Sequence, residues 1–596
     1  MFIFLLNKIK QSISNYIFVH MTNRSTLYFA MLLLFTKVAS AQSCYPANYF
    51  RSPVDSILGL AGNFGEIRPN HYHAGFDIKT NNHIGARVYA AADGYVSRIK
   101  ISPSGYGNAL YINHPNGYTT VYGHLQFYNK AIAAYAKKIQ AAKETFEIDT
   151  LLPANLFPVK KGDLVALSGN TGASQGPHLH FEIRDTKTES PINPYCFGYI
   201  VKDKVKPIIT KVAIYPIGES ATINGKHVIK KIKPILKNGK YSYNNLDTIT
   251  VNGDIGFGIE CYDTETGSSN QNAVYSIELQ SGGKRVFYDE IEKFTFENSR
   301  FVNAHIDFSE KQKHNAKIQK CYVSKNDQTG IYKDVLNGGI IYFKDDSIHW
   351  IRYILKDFAG NTTELMLKVR SRSKSKIKET AASSNDLIFD CFKDNQFKKE
   401  DIEITFPPYA LYDDLKFNYS KSPATKGLYS SVYHIQDNET ALQKACTLSI
   451  KPNNLPNSLQ SKAVIISVGA NGRKSYEGGN YVNGWVQTQI KTLGDFAITL
   501  DTIAPIVRPV FKVIDKFNVN FRNAKIIGFK VSDNLSGIKK YHATIDGHWV
   551  LFEYDLKNNL IYYTFDNEIH SGKHTFNIDV TDDKNNVTSW KCSFVR

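Results

Sequence analysis

From about residue 205 to the C-terminus, Ile, Val, Tyr and Phe alternate with polar residues in short runs separated by polar turns. Alternation at a period of two places one face of each run against a core, and recurrent runs of this kind are the pattern of β-sandwiches. An aromatic content of 13%, almost all Tyr and Phe, favours strands as well. The expectation is a mainly β chain. Only residues 129–146 break the pattern. Ala and Lys dominate there, and Ile132, Tyr135, Ile139 and Ala142 recur at helical spacing, so the segment reads as one helical insertion in an antiparallel β domain.

A length of 596 residues suggests about four domains. Residues 42–205 are Gly-rich with short strands. Residues 206–370 and 502–596 share an internal repeat: Gly258 to Asp263 resembles Gly528 to Asp533, Leu355 to Asn361 resembles Val580 to Asn586, and both copies begin near a proline, Pro207 and Pro505. Two related immunoglobulin-like domains account for it. Asp263, Asp357, Asp533 and Asp582 raise the thought of calcium, but turn formation is the expected role. A Ser/Lys-rich linker covers 371–386, and 387–501 is a third strand-rich region whose fold the sequence does not name.

Residues 1–41 read as an export signal. An apolar core from Leu27 to Phe35 follows Arg24, and Ala39-Ser40-Ala41 fits the small-x-small cleavage rule. Met21 offers an alternative start. The run is too short to span a membrane and Lys37 interrupts its end. Export to the periplasm, cell surface or exterior is expected. Of the seven cysteines none forms a Cys-x-x-Cys pair, which argues against a thiolate metal site. Cys44 and Cys196 bracket the first domain and could pair; the connectivity stays open. The formal charge of +17 suits an anionic partner or spread surface lysines. No Lys/Arg run resembles a nucleic-acid motif, so no nucleic-acid partner is expected.

The chemistry concentrates in the first domain. In His178-Leu179-His180-Phe181-Glu182, strand parity puts Leu179, Phe181 and Ile183 on a core face and His178, His180 and Glu182 on the other, facing a cleft. His178 and His180 then lie roughly 6.6–7 Å apart, so one imidazole can bind a metal while the other reaches its water. His73 and Asp77 would be roughly 13 Å apart in a straight strand. Gly75 between them can permit a bend. Together these residues offer two imidazoles and a carboxylate, with one imidazole over. That suits a zinc ion with three protein ligands, an open position for water and a nearby base. Imidazole argues against magnesium, and the lack of sulfur ligands against copper. Leu110 to His114, Asn116-Gly117 and Thr119 to His124 read as a hairpin with a type I′ turn, which ends on His124.

Four blocks carry a resemblance: His73-x-x-x-Asp77; Gly105-Tyr106-Gly107-Asn108 followed by Tyr122-Gly123-His124-Leu125; Lys161-Gly162-Asp163 through Gly169-Asn170-Thr171-Gly172; and Pro177-His178-Leu179-His180-Phe181-Glu182. In order and spacing, residues 60–195 resemble the lysostaphin/LytM-type zinc endopeptidases, which cleave peptidoglycan peptides. The resemblance implies that His73, Asp77 and His180 bind Zn2+, that His178 and His124 are the catalytic pair, and that zinc-assisted amide hydrolysis of wall peptides is the activity. The insertion after His124, running to Phe157, departs from the family and bears on substrate details. His-x-x-x-Asp or His-x-His alone would arise by chance. His71, His83 and His114 read as surface or hydrogen-bonded, Glu182 as a candidate to orient a ligand, and Arg68 and Asn70 as substrate contacts or solvated loop. The alternative function is a non-hydrolytic wall-binding or regulatory protein that activates or positions another hydrolase. The C-terminal β domains would anchor the chain or bind cell-envelope proteins.

Overall fold

The computed structural model describes residues 45–243, 248–372, 387–469, 471–511, 519–566 and 568–596. The export signal 1–41, Cys44 and linker residues 373–386 lie outside the described residues. The chain is mainly β, as expected. No described helix is long and apolar enough to cross a membrane. The six described cysteines are all unpaired.

In the first region seven strands are β1 (Leu60–Gly62), β2 (Phe76–Lys79), β3 (Gly94–Ile101), β4 (Asn108–Asn113), β5 (Tyr118–Gly123), β6 (Ile148–Leu151) and β7 (His178–Asp185). They form an antiparallel sheet in the order β1-β2-β7-β5-β4-β3-β6. A smaller sheet joins Arg87–Tyr89, Leu164–Ser168 and Leu125–Tyr128. On β7, Leu179, Phe181 and Ile183 are wholly buried. Strand parity holds, but the face bearing His180, Glu182 and Arg184 is buried as well and does not open to solvent.

Two local expectations are corrected. Asn116 keeps ordinary backbone angles and only Gly117 takes positive φ, at 84°. Gly117 N–H donates to His114 O (3.2 Å) and His114 N–H to Tyr118 O (2.9 Å), a longer turn than the two-residue type I′. The helix α1 (Lys130–Lys143) forms, capped by Asn129, whose side chain accepts from Ile132 N–H. Its buried stripe is Ile132, Ala136 and Gln140, while Ala142 is exposed. Gln140 can turn inward because its amide donates to Phe146 O (2.7 Å), a bond that apolar periodicity does not register.

Between Ile208 and Ser371 ten strands form one sheet, while Ile235–Lys237 and Lys240–Ser242 pair apart from it. The long strands Ile208–Ile223 and Ile249–Tyr262 run through it, with core residues such as Val212, Phe257, Leu279, Tyr353 and Leu367. Residues 387–501 form two five-stranded sheets over a shared core that includes Phe406, Leu448, Ile465 and Phe496. Residues 506–595 form a four-stranded and a five-stranded sheet around Phe529, Phe576 and Trp590. The second region braces the first near His73. Phe294 packs on Phe64 and Tyr72, Tyr72 N–H donates to Ser299 Oγ (2.8 Å), and Asn63 exchanges two side-chain hydrogen bonds with the backbone of Ala273.

Candidate metal centre

Sheet register assembles the site. His180 lies opposite Asp77 on β2 and opposite Gly123 on β5, so His124 follows directly on the same row. His73 arrives from outside the strands: the chain leaves β structure after Tyr72 and re-enters at Phe76. The bend expected at Gly75 is there, but positive φ is not its cause. A Cβ at Gly75 would sit 2.2 Å from Phe181 O, so glycine is required by the close approach of β7.

His73 Nε2, Asp77 Oδ1 and His180 Nδ1 converge. Their separations are 3.1 Å for both pairs involving His73 and 2.9 Å for His180 with Asp77. Tetrahedral bonds of about 2.0–2.1 Å would place donors about 3.3 Å apart, so this set fits a zinc ion. His178 Nε2 stands 3.3 Å from the same Asp77 oxygen, and the His178 ring centroid lies 4.7 Å from that of His124. The structure therefore brings together all five residues expected from the sequence.

Each imidazole has one nitrogen occupied, which fixes the other as the working atom. His73 Nδ1 donates to Asn63 O (2.7 Å), His178 Nδ1 to Gly176 O (2.8 Å), and His124 Nδ1 to Thr171 O (2.8 Å). His180 Nε2 donates to Glu182 Oε1 (2.7 Å), whose second oxygen accepts from Arg184 Nε (2.6 Å). Asp77 Oδ2 accepts from Arg68 Nη2 (2.5 Å), leaving Oδ1 turned to the histidines. Tyr106 stacks on His180 with ring centroids 5.0 Å apart.

Burial dominates the electrostatics. It lowers His73 and, with His180 and His178 nearby, pushes His124 down to about 3. Burial opposes the charge of His180 too, but Asp77 and Glu182 outweigh it and raise the imidazole to about 9. Burial would raise Glu182, yet Arg184 and His180 hold it at about 2. Asp77 is likewise held well below the carboxylate range by His73, His178 and His180, against its burial.

His124 takes φ of 59° at the end of β5, and its amide donates to Tyr106 O. Two glycine-rich loops interlock beneath it. Thr171 Oγ1 accepts from Asn108 N–H, Ala173 N–H donates to Gly105 O, and a Cβ at Gly107 would meet Thr171 Oγ1 at 2.3 Å. His71, His83 and His114 take no part. His71 bonds Pro69 O, His83 is exposed, and His114 is held between Asp93 O and Thr120. Asn70 accepts from Asn303 of the second region. Sequence reasoning missed Arg184, although it shares the parity of His180 and Glu182, and it missed Lys557. The Lys557 amine donates to Asn170 O and to Ser174 O (3.1 Å), in the loop that leads to His178. The helix of the insertion ends beside the last region, with Glu144 near His542.

Residues 71–141 and 156–194 match the model of Peptidase family M23, and residues 386–501 match that of a Zu5-like domain. The chain is 37% identical over 118 residues to an uncharacterized metalloprotease of Haemophilus influenzae, covering 20% of this chain and 19% of the relative. It is 32% identical over 139 residues to the peptidoglycan DD-endopeptidase ShyA of Vibrio cholerae, covering 22% and 26%. The chain thus spans about a quarter or less of the length of these curated relatives. Among solved structures, the catalytic domain of lysostaphin from Staphylococcus simulans aligns at 24% identity over 23% of this chain and 87% of that one, with a TM-score of 0.17.

Proposed function

We propose, from the premise that the chain carries a Peptidase family M23 metallopeptidase domain, that it is an exported zinc endopeptidase that cleaves peptide stems or cross-links of peptidoglycan. The observation that carries the reading is the convergence of His73 Nε2, Asp77 Oδ1 and His180 Nδ1, with His178 Nε2 beside them. The substrate class is supported by the relative named a peptidoglycan DD-endopeptidase, and export by the signal-like segment at 1–41.

His73, Asp77 and His180 would hold the zinc. When bound, zinc supplies Lewis acidity for a scissile carbonyl and lowers the pKa of water towards about 7. Asn63, Glu182 and Arg68 orient the three ligands by engaging their outward atoms. His178 takes the proton of the attacking water at Nε2, since its Nδ1–H is committed to Gly176 O, and returns it to the leaving amine. His124 stays neutral at working pH and adds polarity without charge beside His178.

The test is muropeptide release from purified peptidoglycan, read by mass spectrometry, for the full chain and His178→Ala. A loss of about 10²–10⁴-fold with zinc still bound is expected. Unchanged release by the variant would overturn the assignment.

A further inference from the structure

The internal repeat gathers acidic side chains in both of its copies. Asp203, Asp263 and Asp357 gather in one cluster, and Asp501, Asp533 and Asp582 gather in another, each with one carboxylate oxygen per residue within 4.8 Å of the others. Asp203 and Asp501 stand four residues before Pro207 and Pro505, in the segments that enter the two repeated regions. Pro207 O accepts from Thr363 Oγ1 (2.6 Å), and Pro505 O from Thr588 Oγ1 (2.5 Å). The third aspartate of each set opens the same turn. Asp357 accepts from Asn361 N–H (2.8 Å) and Asn361 Nδ2 (2.7 Å). Asp582 accepts from Asn586 N–H (2.8 Å) and Asn586 Nδ2 (2.6 Å).

These carboxylates lack the cations that close packing would require. Among the described residues none of the six is in an ion pair with Lys, Arg or His. Lys584, which feels the charge of Asp501, gives its amine to Gly479 O, and Lys462 gives its own to Lys584 O and Asn586 Oδ1. Asp263 is 5% exposed and Asp501 wholly buried, yet Oδ1 of each has no hydrogen-bond partner; Asp533 Oδ1 is equally unpartnered. The outer oxygens of the second set are anchored. Asp501 Oδ2 accepts from Ser536 N–H, and Asp533 Oδ2 from Leu535 and Gly537 N–H. Burial, with Asp203 and Asp357 alongside, pushes Asp263 up to about 8. A further cluster, Asp390, Cys391 and Asp414, differs on this point, because Lys393 and Lys325 neutralise it.

We propose that Asp203, Asp263 and Asp357 form one calcium site and Asp501, Asp533 and Asp582 a second of the same design. An all-oxygen donor set without imidazole or sulfur selects a hard cation. Calcium accepts about six to eight oxygens at about 2.3–2.6 Å in flexible geometry, whereas magnesium demands a near-ideal octahedron and keeps several waters, so buried carboxylates drawn from separate segments suit calcium better. Burial leaves orphaned oxygens costly unless a ligand meets them. An accidental grouping would not recur at matching positions of two regions with the same Asp–Asn turn and the same Thr-to-Pro hydrogen bond. Each ion would tie the entering segment to the strand ends that follow. The first would also brace the metal centre, because Asp263 pairs by backbone with Asn272, and the next residue, Ala273, holds Asn63, which accepts from His73.

The test is metal counting on the zinc-loaded full chain after dialysis against calcium, by mass spectrometry of the metals, with magnesium in a parallel arm. Two calcium ions per chain are expected, one in Asp263→Asn, one in Asp533→Asn and none in the double variant, with the zinc count unchanged throughout. Circular dichroism checks that the variants fold, and the count on the unaltered chain stands whether or not they do. No calcium on the unaltered chain, preferential magnesium, or two calcium ions retained by the folded double variant would overturn the proposal.

Discussion

The imidazole centre and the two aspartate clusters solve the same problem in different ways. In the first, every inward-facing atom has its outward partner fixed: Asn63 for His73, Arg68 for Asp77, and Glu182 backed by Arg184 for His180. The resulting set is compact, with edges of 2.9–3.1 Å, and one carboxylate is shared among three histidines. In the aspartate clusters the donors are all oxygen, and those of Asp263, Asp501 and Asp533 include an oxygen without any partner. The difference teaches that donor type and outer hydrogen bonding together decide which cation a cluster suits. A nitrogen-rich set with its outer atoms fixed suits zinc, and an all-carboxylate set suits calcium.

The sharpest way to separate the two kinds of site is His180→Ala. It removes one zinc donor and leaves the buried Glu182 charge with Arg184 alone. Zinc content should fall from one per chain to near zero, muropeptide release to background, and stability by about 3–5 kcal/mol, as expected for breaking a buried charged network. Metal analysis and denaturant unfolding read both, and a chain that keeps its zinc would break the comparison. Gly75→Ala should act through the backbone instead. With Phe181 O 2.2 Å from the added Cβ, β2 and β7 must separate, costing about 1–3 kcal/mol or more and misaligning His73 with Asp77.

A milder change sharpens the role of the outer partners. Glu182→Gln keeps a hydrogen-bond acceptor for His180 but removes its charge, and zinc affinity should drop about 10–100-fold in competition with a chelator. The pH dependence follows from the same pair. In the metal-free chain His180 is raised to about 9, so zinc must displace a proton below that pH. Affinity should rise by up to about tenfold per pH unit up to about pH 9, then level off. The sign for stability is the reverse. A raised histidine pKa stabilises the metal-free fold below about pH 6.5, and that contribution is lost as pH rises towards about 9.

Lys557→Ala should give the smallest effect. It removes the contact of the last region with the loop before His178, and stability should shift by about 0.5 kcal/mol or less. Unchanged kcat with that variant would show that the loop holds His178 without help from the last region.

Much of the metal centre was legible in the sequence, because strand parity and the order of the motifs both survive folding. His178, His180 and Glu182 do share one face, and His73, Asp77 and His124 do join them. What parity could not reveal was coverage. The outward face of β7 is closed over by Tyr106 and an Arg184–Phe296 contact, and Arg184 completes the Glu182 network. Gly75 was noticed for its flexibility but is required for its lack of a Cβ. The aspartate clusters were half visible. Four of the six residues stood out in the repeat, yet Asp203 and Asp501 lie 60 and 32 residues before Asp263 and Asp533, and only folding brings them together. The helix was found, but its buried stripe was displaced by Gln140, whose hydrogen bond makes a polar residue a core residue.

The central claim is most directly tested by stripping the full chain of metal and restoring ions one at a time while following muropeptide release from purified peptidoglycan. The account predicts that release stops on stripping, returns with one equivalent of zinc, and does not return with calcium alone. Undiminished release by the stripped chain, or recovery with calcium and no zinc, would contradict it.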